Sequence, residues 1–323
     1  MSRRWLTFAA KAAISAILVW LLLDSIELAP VAERLERIAL GPIFLAALLL
    51  LAQILVANRR WFVVMAALSA PLPYWPLVRI YLIGIFFNQT LPSTLGGDAF
   101  RVWLASRLGP ALGKAVTGVL IDRLSGFLLI LLVIAVSLPM SFALVPDPVA
   151  RWSLVVVAGA GLAGYAVVLF VPRRLSPILG RWRATRAILD LSGDARHLFL
   201  TPRHAARILA LSLLVLLISA ASVYTLGWAI GVDLGLLNCL ILTPPIIVVA
   251  FVPISVAGWG VREGAMVAAF GYVGVPAADA LVVSILFGLV LVAIGLPGGL
   301  LWLKSGRRED RASVVAAARN RGD

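Results

Sequence analysis

The chain has 323 residues, 62% of them hydrophobic and 13% charged, against roughly 45–50% and 25% in soluble domains. That much apolar surface cannot be hidden in a globular core, so the composition excludes a soluble protein and demands lipid as solvent. The 28 Lys+Arg against 15 Asp+Glu give a net charge of +13; in a soluble chain this would suggest nucleic acid, but here the basic residues sit between hydrophobic segments, where they set topology and can meet anionic headgroups.

Leu- and Ala-rich apolar stretches of about 17–25 residues recur from end to end, the length of a membrane-spanning helix rather than of a barrel strand. The first, residues 5–23, follows Arg3 and Arg4. It resembles a signal peptide, but no convincing small-residue cleavage site follows, so an uncleaved first helix is expected. Leu28, Val31, Ala32, Leu35, Ile38 and Ala39 then recur at helical spacing, with Glu33 and Arg37 on the other side, which predicts an interfacial amphipathic helix. Further crossings are predicted at 40–57, 115–138, 152–171, 208–230 and 280–303.

Basic clusters at Arg3-Arg4, Arg59-Arg60, 173–207 and Lys304/Arg307/Arg308 belong on the cytoplasmic side. The opposite side receives Asp24 and Glu27, residues 145–147 and residues 231–233, which places both termini inside. The 173–207 stretch reads as a solvated connection. Its His197 and His204 lack Cys or carboxylate companions at ligand spacing, so no metal is predicted. Cys239 lies in an apolar run and reads as packing, and Trp61, Trp75, Trp152 and Trp302 read as interfacial anchors.

Two apolar stretches, 74–101 and 237–270, carry prolines and glycines midway and do not fit as simple crossings. They read as re-entrant helical hairpins, whose irregular backbone is tolerated at membrane depth only inside protein or beside a water-filled cavity. Both hairpins contain one phrase: Pro92, Gly96-Gly97-Asp98 and Arg101 in the first, Pro253, Ala257-Gly258-Trp259-Gly260 and Arg262-Glu263-Gly264 in the second. The two lie about half the chain apart, and each follows two crossings and precedes a third. The expected architecture is therefore an all-α membrane bundle of about six crossings and two re-entrant hairpins in an inverted repeat. It is one transmembrane domain over 1–323, with halves 1–140 and 141–308 and a basic cytoplasmic tail at 309–323.

In this phrase Pro92 and Pro253 end one half-helix, and Gly96, Gly97, Gly258 and Gly260 allow a tight turn. The next half-helix presents free N–H groups and its positive dipole end, and Arg101 or Arg262 adds a fork matched to phosphate or carboxylate. An arginine at membrane depth costs roughly 2.5–3.5 kcal/mol on insertion scales, which implies a partner or a task. Asp98 and Glu263 can position those arginines or meet a cationic headgroup moiety. The plainer alternative is a structural clasp, with Asp98 on Arg101 and Glu263 or Asp122 on Arg262. Asp122-Arg123, early in a crossing, reads equally as an interfacial pair or a functional one. Asn88-Gln89-Thr90 matches a glycosylation sequon, but its apolar setting argues against that use.

At these residues the chain resembles a known family. The segments Phe87-Asn88-Gln89-Thr90-Leu91-Pro92, Gly96-Gly97-Asp98-Ala99-Phe100-Arg101, Asp122-Arg123-Leu124-Ser125-Gly126, and Pro253-Ile254-Ser255 with Gly260-Val261-Arg262-Glu263-Gly264 look like the transmembrane domain of lysylphosphatidylglycerol synthases, the flippase half of the multiple peptide resistance factor. The resemblance covers almost the whole chain and implies a bacterial or archaeal cytoplasmic-membrane protein. It departs in one respect: bifunctional members continue into an aminoacyl-transferase domain, whereas residues 304–323 make a short basic tail, so no lysyl-lipid synthesis is expected. The two sites are also chemically unequal, with Ala257 in the place of Gly96 and Trp259 in that of Asp98.

The expected function is non-enzymatic: binding or translocation of a lipid with a polar, anionic headgroup, held by Arg101 and Arg262 without a cofactor. No Gly-x4-Gly-Lys-[Ser/Thr] phrase is present, so active transport would draw on an ion gradient or a partner. The alternatives are a membrane-embedded lipid-modifying enzyme using Asp98 or Asp122 as acid or base, and an accessory subunit of lipid- or envelope-synthesis enzymes.

Overall fold

The long apolar runs fold as helices because a chain in lipid must satisfy every backbone N–H and C=O within itself. A computed structural model describes residues 38–91, 96–179, 183–251, 255 and 257–319. The expected crossing at 5–23, nearly all of the amphipathic stretch before residue 40, and Pro92 and Pro253 lie outside the described residues. In order come α1 Leu40–Ala67, α2 Tyr74–Thr90, α3 Gly96–Ser106, α4 Leu112–Leu144 and α5 Pro148–Leu179. They are followed by α6 Arg183–Leu200, α7 Pro202–Ala229, α8 Leu236–Ala250, α9 Val261–Gly271 and α10 Ala277–Arg319. No strand occurs among the described residues.

Among the described residues, five segments are long and apolar enough to cross a membrane: α1, α4, Pro148–Phe170 of α5, α7, and Ala277–Lys304 of α10. At about 1.5 Å per residue each exceeds roughly 30 Å of hydrocarbon. Their outward faces are apolar, with Phe44 66% and Val136 81% exposed, a surface that lipid covers without cost. The chain is a multi-pass membrane protein.

Several boundaries differ from the sequence expectation. Helix α1 runs ten residues past 57, because the apolar pattern resumes at Trp61 and carries Arg59 and Arg60 inside the helix. Helix α4 overruns its predicted crossing at both ends. Much of the 173–207 stretch is helix α6 rather than a loop; it buries Ala195 and Leu198 against Ile121, Tyr165, Leu169 and Ile208, and Lys114 Nζ pairs with Asp194 Oδ2 at 2.8 Å. Helix α10 continues through Arg319, into the predicted tail.

The order α1, α2–α3 pair, α4 recurs as α7, α8–α9 pair, α10. Residues of α1, α7, α8, α9 and α10 share one core cluster, including Ala46, Val223, Ile246, Phe270 and Val283. Trp61, Leu77, Ala105 and Ala115 join α1 to the first pair and α4. Helix α10 also lies backbone-to-backbone on α2, since a Cβ at Gly298 would collide with the Leu82 carbonyl. Beside that contact Phe87 and Phe100 stack at 3.7 Å, with Trp302 edge-on to both. Trp302 thus packs into an aromatic cluster instead of standing as an isolated anchor, and Trp61, at 0% exposure, is core. Trp75 and Trp152 are exposed, as an interfacial anchor requires.

Candidate functional site

Helix α3 places Asp98 and Arg101 three residues apart on one face, and Arg101 Nη1 donates to Asp98 Oδ1 at 3.1 Å. The α2–α3 approach that makes this possible depends on two glycines, because a Cβ at Gly97 would collide with the Gly84 carbonyl and one at Gly84 would sit 2.8 Å from Arg101 Cγ. Asn88 secures the same joint, its Oδ1 accepting the Gly97 N–H at 2.9 Å. Gly96 and Gly97 are therefore not turn residues: they open α3, and Gly97 is there for contact rather than for flexibility.

Adjacent helical positions diverge by about a quarter turn, so Asp122 and Arg123 of α4 face different partners. Asp122, 1% exposed, accepts Arg101 Nη2 at 2.7 Å on Oδ2 and Arg60 Nε at 2.8 Å on Oδ1. Arg60 also donates to Ser212 Oγ of α7 at 3.1 Å, while Arg123 Nε donates to Asp98 Oδ2 at 2.6 Å. The result is an alternating chain, Arg60–Asp122–Arg101–Asp98–Arg123, that ties α1, α3 and α4 together and reaches α7. Gly126 leaves room for it, since a Cβ there would lie 2.9 Å from Arg60 Nη1. The Arg101 guanidinium carbon sits 4.3 Å from the Trp61 ring centre and 4.5 Å from that of Tyr81. Cation–π contact there partly replaces the hydration lost on burial.

The second half builds its arginine differently. Ala257, Gly258 and Gly260 have φ of 51°, 82° and 86°. Glycine takes this left-handed backbone without strain at 258 and 260. Glu263 caps the helix that follows, its Oε2 accepting the Gly260 N–H at 2.6 Å. Its Oε1 accepts Arg262 Nη2 at 2.5 Å and the Ser284 hydroxyl at 3.2 Å. The Arg262 guanidinium lies over Trp259, 4.8 Å from its ring centre, and Gly288 of α10 is bare where a Cβ would strike Nη2. Arg262 is the second residue of α9 and Arg101 the sixth of α3, so the matching phrases deliver their arginines at different depths.

The two arginines face one cleft. A cavity of about 290 Å³ is walled by Arg60, Arg101, Asp122 and Arg123. It adjoins another of about 260 Å³ that Arg262, Thr243 and Met266 help to line, and the two share Asn88, Gln89, Arg123, Ser219 and Phe251 as walls. Among the described residues, four arginines and one aspartate supply the charge on these walls. Asp98 and Glu263 stand behind the arginines and hold them. Asp122 serves Arg60 and Arg101, not Arg262 as the clasp alternative allowed. Arg60, Ser212 and Ser284 enter the site without having been expected. The available sequence signal for Arg60 was its place on the Ala57–Arg60–Trp61–Val64 face of a helix that does not stop at 57.

The arginines present a basic surface inside an apolar body, a chemistry suited to recognising an anion. Every oxygen of Asp98 and Asp122 accepts a guanidinium N–H. Among curated proteins nothing matches the chain. Among protein families, the lysylphosphatidylglycerol synthase TM region matches residues 8–299, and the chain belongs to that family.

Proposed function

We propose that this protein is a flippase-like transporter that passes a polar, anionic lipid headgroup across the bacterial cytoplasmic membrane, binding it without covalent chemistry. The observation that carries this reading is the cleft lined by four arginines and one aspartate within a bundle whose outer face is apolar. A cleft of this kind lowers the barrier for a phosphate to leave water, because the guanidiniums replace its hydration shell. Family membership supports a link to lipid metabolism or transport. In this reading α2–α3 and α8–α9 are re-entrant: α3 and α9 have 11 residues each, about 16 Å, too short to cross. The halves are inverted about the cleft, both termini are cytoplasmic, and the lipid is delivered by the enzymes that make it.

Two results test the reading. In a background with Cys239→Ser, Arg183→Cys and Arg186→Cys should react with a membrane-impermeant thiol reagent only from the cytoplasm, and Asp147→Cys only from outside. Labelling of both regions from one side would remove the inverted repeat. In vesicles carrying fluorescent phosphatidylglycerol, the reconstituted protein should let dithionite bleach inner-leaflet label faster than empty vesicles do. Equal bleaching would remove the transport function.

A further inference from the structure

We propose that Arg60, rather than Arg101, is the arginine with which the first half of the bundle grips the phosphate of a headgroup, and that Arg101 is the positioning residue behind it. This rests on the translocation reading above and names the side chain on which the anionic group lands.

A guanidinium distributes its N–H donors over three nitrogens, and where each nitrogen points decides what is left for a ligand. Arg101 commits both terminal nitrogens inside the bundle, Nη1 to Asp98 Oδ1 and Nη2 to Asp122 Oδ2. Each keeps one hydrogen, but the group is closely enclosed. Its Nε is sealed and has no partner among the described residues, the Trp61 and Tyr81 rings lie 4.3 and 4.5 Å from its central carbon, and the residue is 3% exposed. Held in this way, Arg101 locks α3 against α1 and α4.

Arg60 keeps a whole terminal nitrogen in hand. Its Nε donates to Asp122 Oδ1 at 2.8 Å and its Nη1 to Ser212 Oγ at 3.1 Å, so α4 and α7 together fix the plane of the group. Its Nη2 donates to no described residue. The sealed polar atoms without a partner include Arg101 Nε but not Arg60 Nη2, so this nitrogen opens onto the cavity of about 290 Å³ that Arg60 lines. Arg262 follows the same plan in the second half: Nε and Nη2 go to Glu263 and Ser284, and Nη1 is left for the adjoining cavity. A fixed plane with one open nitrogen is a preorganised donor for a phosphate oxygen. Helix α4 clears the space for it with Gly126, where a Cβ would lie 2.9 Å from Arg60 Nη1 and 3.5 Å from Nη2. The neutral side chains Asn88, Gln89 and Ser219, which line both cavities, are there for the uncharged part of the headgroup.

The experiment measures binding and melting on the purified full chain in detergent, for wild type, Arg60→Lys and Gly126→Ala. Phosphatidylglycerol is titrated by native mass spectrometry and inorganic phosphate, separately, by calorimetry. Arg60→Lys keeps a cation for Asp122 but loses the planar fork, and it should bind phosphatidylglycerol roughly tenfold or more weakly, the weight of one charge-assisted contact. Gly126→Ala removes no charge and suits a helix better than glycine does, yet it crowds the guanidinium. Its binding should fall by about threefold or more, a fraction of the same contact, with a melting midpoint at or near the wild-type value. Wild-type affinity in either folded variant, or loss of folding in both, makes Arg60 a structural clasp and overturns the assignment. Binding of inorganic phosphate that depends on Arg60, with no lipid bound, upholds the assignment and overturns the translocation reading. Wild-type protein that binds neither overturns both.

Discussion

Replacing Asp122 by Asn should destabilise the bundle by about 3–5 kcal/mol, the usual effect of removing one partner from a buried ion pair. Asp122 is 1% exposed and takes one guanidinium on each oxygen, so its loss leaves two buried guanidiniums short of a countercharge. The two arginines will not suffer equally. Arg101 keeps Asp98 and its two aromatic rings, whereas Arg60 keeps only Ser212 among the partners described. Adding Arg60→Met to Asp122→Asn should therefore recover a large part of the lost stability, a coupling expected of residues in direct contact. Melting of the solubilised protein measures both effects. An unchanged midpoint in the single variant would mean that the charge chain does not hold the helices together.

The sequence disclosed the apolar spans because their length and composition follow directly from bilayer thickness. It disclosed the helix pairs because proline and glycine at matching places leave a legible mark. Arg101 with Asp98, and Arg262 with Glu263, were also legible, since each pair sits within three residues. Arg60 was not. Its partners Asp122 and Ser212 lie 62 and 152 residues away in sequence, and no local pattern reports a contact of that range. Standing next to the exposed Arg59, it imitates a basic cluster at a helix end. Gly97 misled for a related reason: glycine serves both turns and close approaches, and only the position of the Gly84 carbonyl shows which is at work. Trp61 likewise looked like an anchor until its ring was found beneath Arg101, 4.3 Å from the guanidinium carbon.

Replacing Arg262 by Gln should slow lipid translocation roughly tenfold or more, since a charge-assisted hydrogen bond is worth roughly 1.5–3 kcal/mol. Arg262 separates binding from folding better than Arg101 does. When Arg101 is removed, two carboxylates lose a partner. When Arg262 is removed, Glu263 still accepts the Gly260 N–H and the Ser284 hydroxyl, and the amide of the new glutamine can donate to it. Arg262→Lys should restore only part of the rate, because a lysine supplies a point charge where arginine supplies a planar fork. The measurement that bears most directly on the cleft is the dithionite bleaching rate of fluorescent phosphatidylglycerol in vesicles holding equal amounts of wild-type or Arg262→Gln protein, each with its melting midpoint determined beside it. The arrangement predicts a midpoint close to wild type and a rate lower by roughly tenfold or more; a wild-type rate from a stably folded Arg262→Gln protein would contradict it.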